Sequence, residues 1–227
     1  MKLFKLADGT TKDISEIEGM NEYLNSDTTY THAIVAGFKN GAYSYLEGKQ
    51  LESVVDLGGN IGLFSLFVSP IAKKIYTVEP DGKHFAQLTK TLSDVKNVIL
   101  YNNAIWDKNE DLKFYRCNSN SSANTCIKND MDLSLLYLVK AITLKSIINN
   151  ETIDFCKMDI EASEKILLTD DSFPFDQIKI IEVSIHTPHL NGEAIKNKLE
   201  AEGFVCEIYH DDYGMPVFIG RNKRWEI

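Results

Sequence analysis

The sequence predicts an α/β protein: seven strands in a mostly parallel sheet, helices on both faces, an antiparallel hairpin at the C-terminal end and a small N-terminal appendage. Three observations predict it. From residue 53 onward, short apolar runs rich in β-branched residues alternate with helical patterns. The first of these runs ends in a glycine-rich turn that leads into a helix. The last two runs are separated only by residues 211–214, too few for a parallel crossover, so the final strand must run antiparallel.

The elements follow in chain order. KLFKLA (2–7), Asp8-Gly9 and TTKDI (10–14) predict a hairpin. A short helix is expected over 15–24 with Ser15 as its N-cap, and a second turn at Asn40-Gly41. These first fifty residues (1–50) read as an appendage, and 51–227 as the main domain. In the main domain SVVDL (53–57) is a strand, GLFSLFVSPIA (62–72) a helix, IYTVEP (75–80) a strand and HFAQLTKTLSDV (84–95) a helix. NVILYNNAIW (97–106) reads as one strand, LKFYR (112–116) as an added strand, and 133–149 as a helix. The polar run NSNSSANT (118–125) reads as a loop. IDFCKMDI (153–160), SEKILLTD (163–170), IKIIEVSIH (178–186) and EAIKNKLEAEG (193–203) continue the strand–helix alternation, with Gly203 as a left-handed helix stop. FVCEIYH (204–210) and MPVFIGR (215–221) close the sheet.

Composition excludes several classes. With 44 % hydrophobic and 25 % charged residues over 227 positions, the chain is neither disordered nor fibrous. The net charge of −9 weighs against a partner held by its phosphate backbone, so no nucleic acid is expected. The basic cluster Arg221, Lys223 and Arg224 reads as a solvated tail. Cys117, Cys126, Cys156 and Cys206 show no C-x-x-C pair and no metal-ligand spacing, which suits reduced thiols in a cytoplasmic protein. No run approaches the ~20 apolar residues of a membrane helix, and MKLFKLADGT reads as no secretory leader.

The chemistry begins at VVDLGGNIG. Asp56, Gly58, Asn60 and Gly62 stand in an Asp-x-Gly-x-Asn-x-Gly pattern. This is neither the G-x-G-x-x-G dinucleotide fingerprint nor a Walker loop. A carboxylate there repels a pyrophosphate and attracts a cation, such as the ammonium of the methionine part of S-adenosylmethionine. The plain alternative is a helix-start turn with an incidental Asp. Glu79 stands 23 residues after Asp56 at the next strand tip, where an acid accepts both ribose hydroxyls. Asn103 and Ala104, at the third strand's end, are candidates to border an adenine. In FCKMDIE, alternation puts Phe155, Lys157, Asp159 and Glu161 on one face if the strand persists. Those groups can orient a substrate hydroxyl or hold a metal, or Lys157 and Asp159 form a structural pair. Glu182, inside an otherwise apolar strand, is costly unless paired. His186 near that strand's end suits proton transfer, and Asp159, Glu182 and His186 together suit a divalent cation. Cys156 and Met158 fall on the opposite face, in the core, and Tyr43 and Tyr45, just before the first strand, either close over a bound cofactor or, as the default, pack.

Here the sequence resembles class I S-adenosylmethionine-dependent methyltransferases, and more closely the FkbM family. The resemblance runs from about 51 to 220 and rests on VVDLGGNIGLFS, YTVEPDGKHFAQLTKTL, NNAIWDKNEDLKFY, TLKSI, IDFCKMDIEASEKIL and IIEVSIH. Two departures stand out: Ala162 occupies the place of the family's usual glycine after the second acid of K-x-D-x-E, and 117–138 has no clear match. The resemblance implies a Rossmann-like sheet and O-methylation of a sugar, glycan or secondary-metabolite hydroxyl. In that reading Asp56, Gly58, Asn60 and Gly62 hold the methionine end of the cofactor, and Glu79 binds ribose. Asn103 and Ala104 border adenine, and Lys157, Asp159, Glu161, Glu182 and His186 serve the transfer site. The expected partner is a small-molecule or glycan acceptor, with no membrane and with homo-oligomers left open. The alternatives are a nicotinamide-dependent oxidoreductase, which the glycine spacing disfavours, and a cofactor-binding scaffold without turnover.

Overall fold

The computed structural model describes residues 2–25, 43–117, 124–126, 133–185, 190–210 and 215–225. Strands β3 (Leu51–Leu57), β4 (Ala72–Val78), β5 (Val98–Tyr101), β9 (Ile153–Met158), β10 (Ile178–Ser184), β11 (Phe204–His210) and β12 (Pro216–Asn222) form one sheet in the order β11-β12-β10-β9-β3-β4-β5. Only β12 runs antiparallel to its neighbours, inserted between β10 and β11. The short connection after β11 forces that reversal, as the sequence predicts. Strands β3, β9 and β10 are buried on both faces, which is why they read as nearly continuous apolar runs.

The chain starts this sheet at β3, winds outward through β4 and β5, then returns to the other side of β3 with β9. The carboxyl ends of β3 and β9 therefore flank the topological switch point, where open α/β sheets bind ligands.

Helices cover both faces. On one side α4 (Leu144–Ile148), α5 (Ile166–Thr169) and α6 (Gly192–Ala201) pack on Val55, Cys156, Met158 and Ile181. On the other, α2 (Leu63–Val68) and α3 (Gly82–Thr91) pack on Val54, Ile75, Phe155 and Ile180. The N-terminal part joins this second face. Its hairpin, β1 (Leu3–Lys5) with β2 (Thr11–Asp13), the 3-10 turn Ile14–Glu16 and helix α1 (Met20–Asn25) bury Phe4, Ile14, Met20 and Leu24 in the same core. The turn near Asn40-Gly41 lies outside the described residues.

Three local expectations need correction. The cap before residue 15 is Asp13, whose carboxylate accepts from the Ser15 amide, and the helix is split at Gly19 (φ +79°) into a 3-10 turn and α1. The third strand stops at Tyr101, and Ala104–Ile105 (β6) instead joins a separate sheet. The stretch 133–149 is a strand followed by a short helix: β8 (Leu133–Ile142) pairs antiparallel with β7 (Asp111–Cys117) and parallel with β6. A mostly apolar stretch of ten residues fits either a helix or a strand by pattern alone. Pairing with β7 decides for the strand.

Candidate functional site

The glycine turn after β3 is shaped by contacts that exclude side chains. Gly58 adopts φ +83°, and a Cβ there would lie 1.9 Å from the carbonyl oxygen of Asp159. At Gly59 a Cβ would lie 2.4 Å from Thr77 Cγ2. Both amides donate to the carbonyl of Val78, at 3.0 and 2.9 Å. Gly62, at φ +87°, precedes α2. Asn60 also takes a left-handed conformation, φ +49°, which Asn tolerates better than most residues. Its side-chain oxygen accepts from the Ile61 amide at 2.8 Å.

The turn is tied to the next strand tip. The Asn60 amide donates to Glu79 Oε2 at 2.8 Å, and the Asp81 amide to Glu79 Oε1 at 2.8 Å. Burial pushes the Glu79 carboxyl up to about 7, against the two amides that favour its ionised form. Asn102 braces the same tip, donating to the carbonyls of Glu79 at 2.9 Å and Pro80 at 3.2 Å.

Below the turn runs a row of polar groups across four strands. Strand register aligns Thr77, Asp56, Lys157 and Glu182 as lateral neighbours on one face. Asp56 is fully buried; its Oδ2 accepts from Ser65 Oγ at 2.7 Å, and Ser65 Oγ is 2.6 Å from Thr77 Oγ1. Lys157 Nζ stands 3.6 Å from Asp56 and 3.4 Å from Asp159, and donates to the Gly58 carbonyl at 3.3 Å. Burial opposes the lysine's charge, but Asp159, Asp56 and Glu182 outweigh it and hold the ammonium well above its ordinary range. Asp56, read from the sequence as a carboxylate for a ligand's ammonium, has Lys157 as its cationic neighbour inside the fold. Asp159 keeps 31 % of its side chain exposed, so it is the open carboxylate of the group.

Glu182 is closed off. The hydroxyls of Tyr45 and Tyr209 both hydrogen-bond its carboxylate, and burial pushes it up to about 7. Tyr45 also packs on Phe155, with ring centroids 6.1 Å apart, while Tyr43 packs on Phe64 at 4.8 Å.

Other predicted residues land differently. Strand β9 ends at Met158, so the alternation does not reach Glu161. Glu161 (φ +55°) and Ala162 (φ +72°) form consecutive left-handed residues. At such a conformation a Cβ costs about 1–2 kcal/mol, so Ala162 occupies a place that would suit glycine better. Asn103 donates to the Lys140 carbonyl at 3.2 Å, and Ala104 is buried in β6; both stand where the main sheet gives way to the small one. His186 lies outside the described residues. Among the described residues no group of three or more His, Cys, Asp or Glu side chains is arranged to hold a metal ion, and no helix is long and apolar enough to cross a membrane.

Sequence reasoning missed Asp81, Asn124 and Thr125 as parts of this edge, and the bonding of Tyr45 and Tyr209 to Glu182. Asp81 carried one signal, its position as an N-cap before α3. The others meet the site only through long-range packing.

Comparisons agree with this geometry. The family model described as Methyltransferase FkbM domain matches residues 56–206, about two thirds of the chain. A solved methyltransferase FkbM from Methylobacillus flagellatus KT has TM-score 0.52 and 15 % identity, covering 74 % of this chain and 43 % of its own length. The present chain thus spans less than half of that relative. A putative rRNA-methylase from Clostridium thermocellum has TM-score 0.53 and 12 % identity, covering 82 % of this chain and 96 % of its own. At such identities the two structures speak for the fold alone. No curated protein matches the sequence. With two thirds of its length matched by the family model, and with the seven-stranded sheet and glycine turn that carry the motifs, the chain belongs to the FkbM methyltransferase family.

Proposed function

We propose that the protein transfers a methyl group from S-adenosylmethionine to a hydroxyl of a sugar, glycan or secondary metabolite. One observation carries this reading. At the switch point a glycine turn packed on the Asp159 carbonyl, a carboxylate tied to that turn and a half-open carboxylate held by a buried lysine converge.

The residues present fit the cofactor. The missing side chain at Gly58 lets the turn sit directly on the Asp159 carbonyl, and Asn60 couples the turn to Glu79. In this reading Asp56, Gly58, Asn60 and Gly62 frame the methionine end, Glu79 receives the ribose hydroxyls, and Asn103 with Ala104 borders the adenine side. When bound, the cofactor supplies an activated methyl group on a sulfonium. The protein's own part is alignment, exclusion of water and handling of one proton. Asp159 accepts a hydrogen bond from the acceptor hydroxyl and takes its proton. Lys157 holds Asp159 in place, and Glu182, locked by two tyrosines, supports Lys157. Glu161 flanks the acceptor side, and His186, two positions after β10 in the sequence, is the second candidate for the proton. The acidic net charge, −9, favours a neutral acceptor over a polyanion, and we assign the protein to the cytoplasm.

Calorimetric titration of S-adenosylhomocysteine into purified protein tests the cofactor assignment; a flat titration would end it. Labelled S-adenosylmethionine offered with sugar, glycan, metabolite and RNA panels tests the acceptor class. Asp159→Asn is expected to cut turnover about 100-fold or more while leaving S-adenosylhomocysteine affinity within about threefold.

A further inference from the structure

Residues 124–126, between β7 and β8, touch both sides of the cradle. Asn124 Nδ2 and the Tyr137 hydroxyl each donate to Asp81 Oδ2 at 3.0 Å. The other oxygen of Asp81 accepts from the amides of Lys83 at 2.7 Å and His84 at 3.1 Å, which fixes Asp81 as the cap of α3. The Asp81 amide in turn donates to Glu79. A continuous set of hydrogen bonds therefore runs from the β7–β8 arm through Asp81 to Glu79.

The next residue reaches the other side. Thr125 Oγ1 donates to the Glu161 carbonyl at 2.6 Å, and its main chain pairs with Tyr115 at 2.8 and 2.9 Å. Asp81 follows the tip of β4 and Glu161 that of β9, with β3 between them. Strand spacing of about 4.8 Å puts those tips roughly 10 Å apart, with the Gly58 turn in the gap. Two adjacent residues thus bridge the mouth of the cradle. Both are buried, and Tyr137 is steadied edge-on against Phe114, with centroids 5.4 Å apart. Burial, and next the charge of Glu79, push the Cys126 thiol up to about 12.

We propose that residues 124–126 roof the nucleoside half of the cofactor cradle, and that Asn124 and Tyr137 are positioning residues that hold Glu79 through Asp81. This rests on reading the cradle as an S-adenosylmethionine site. Because the contacts of Asn124 and Tyr137 lead through Asp81 to Glu79, their loss weakens the grip on the nucleoside and leaves the amino-acid half alone.

The test titrates two ligands, S-adenosylhomocysteine and 5′-deoxy-5′-methylthioadenosine, which lacks the amino-acid half, into wild type, Tyr137→Phe and Asn124→Ala/Tyr137→Phe. The double variant is expected to lose about tenfold in affinity for both ligands by the same factor, in line with removal of hydrogen bonds to a buried charged group. Unchanged affinity, or a loss confined to S-adenosylhomocysteine, overturns the proposal. If thermal melting shows the double variant unfolded, the isosteric Tyr137→Phe decides by the same comparison, with an equal loss of about threefold expected. A wild type that binds neither ligand refutes the cofactor reading itself, and the roof with it.

Discussion

At the scale of single residues, Gly58 and the buried carboxylates decide most. A methyl group at position 58 would meet both a backbone oxygen at 1.9 Å and a positive φ, so neither side-chain rotation nor a small shift relieves it. Gly58→Ala is expected to cost about 3 kcal/mol in urea unfolding; a loss below about 1 kcal/mol would contradict the contact. Glu79 and Glu182 shift the other way from ordinary surface acids. Each has a folded value of about 7 against 4.5 for the free side chain, chiefly from burial. A raised carboxyl pKa means that the folded state binds more protons than the unfolded one. Stability from these groups is therefore fully present below about pH 4.5 and is lost as pH rises through about 7, on the order of 3 kcal/mol for each. Urea midpoints should fall between pH 5 and 7.5, and Glu182→Gln should fall less than wild type; equal slopes would refute the assignment. Most of these side chains were legible as candidates, because a carboxylate at a strand tip or inside an apolar strand stands out. Their partners were not, since hydrogen bonds such as Tyr45 to Glu182 join positions 137 residues apart.

Among the elements, the polar row across β4, β3, β9 and β10 is held from outside the family-matched span. Tyr45 precedes β3 and Tyr209 lies in β11, beyond residues 56–206. Both bond Glu182, so the flanking segments complete the core of the sheet. Tyr45→Phe keeps the ring on Phe155 and removes only the hydroxyl. It is expected to cost about 2 kcal/mol, the value of a hydrogen bond to a charged group; a neutral result would make Tyr45 a packing residue only. The parallel strands were readable because burial on both faces imposes apolar runs, and the crossover rule orders them. The β7–β8 arm was not. Its run of apolar residues suits two secondary structures, and only the partner strand distinguishes them.

For the whole molecule, charge and topology act together. With a net charge of −9, the protein is expected to pass through a heparin column at about 0.15 M salt. Retention would reopen a phosphate-backbone acceptor. The sequence by itself determined the alternating sheet, the antiparallel last strand, the glycine turn and the acids at successive strand tips. Each follows from local rules: side-chain periodicity, connection length and backbone conformational freedom. Only the tertiary structure decided which acid stays open. Asp56 and Glu182 are enclosed by Ser65, Lys157 and two tyrosines, while Asp159 keeps a face to solvent. It also decided that Asn124 and Thr125 span from Asp81 to Glu161. Such outcomes depend on distances between segments far apart in the chain, and local patterns of polarity carry no record of them.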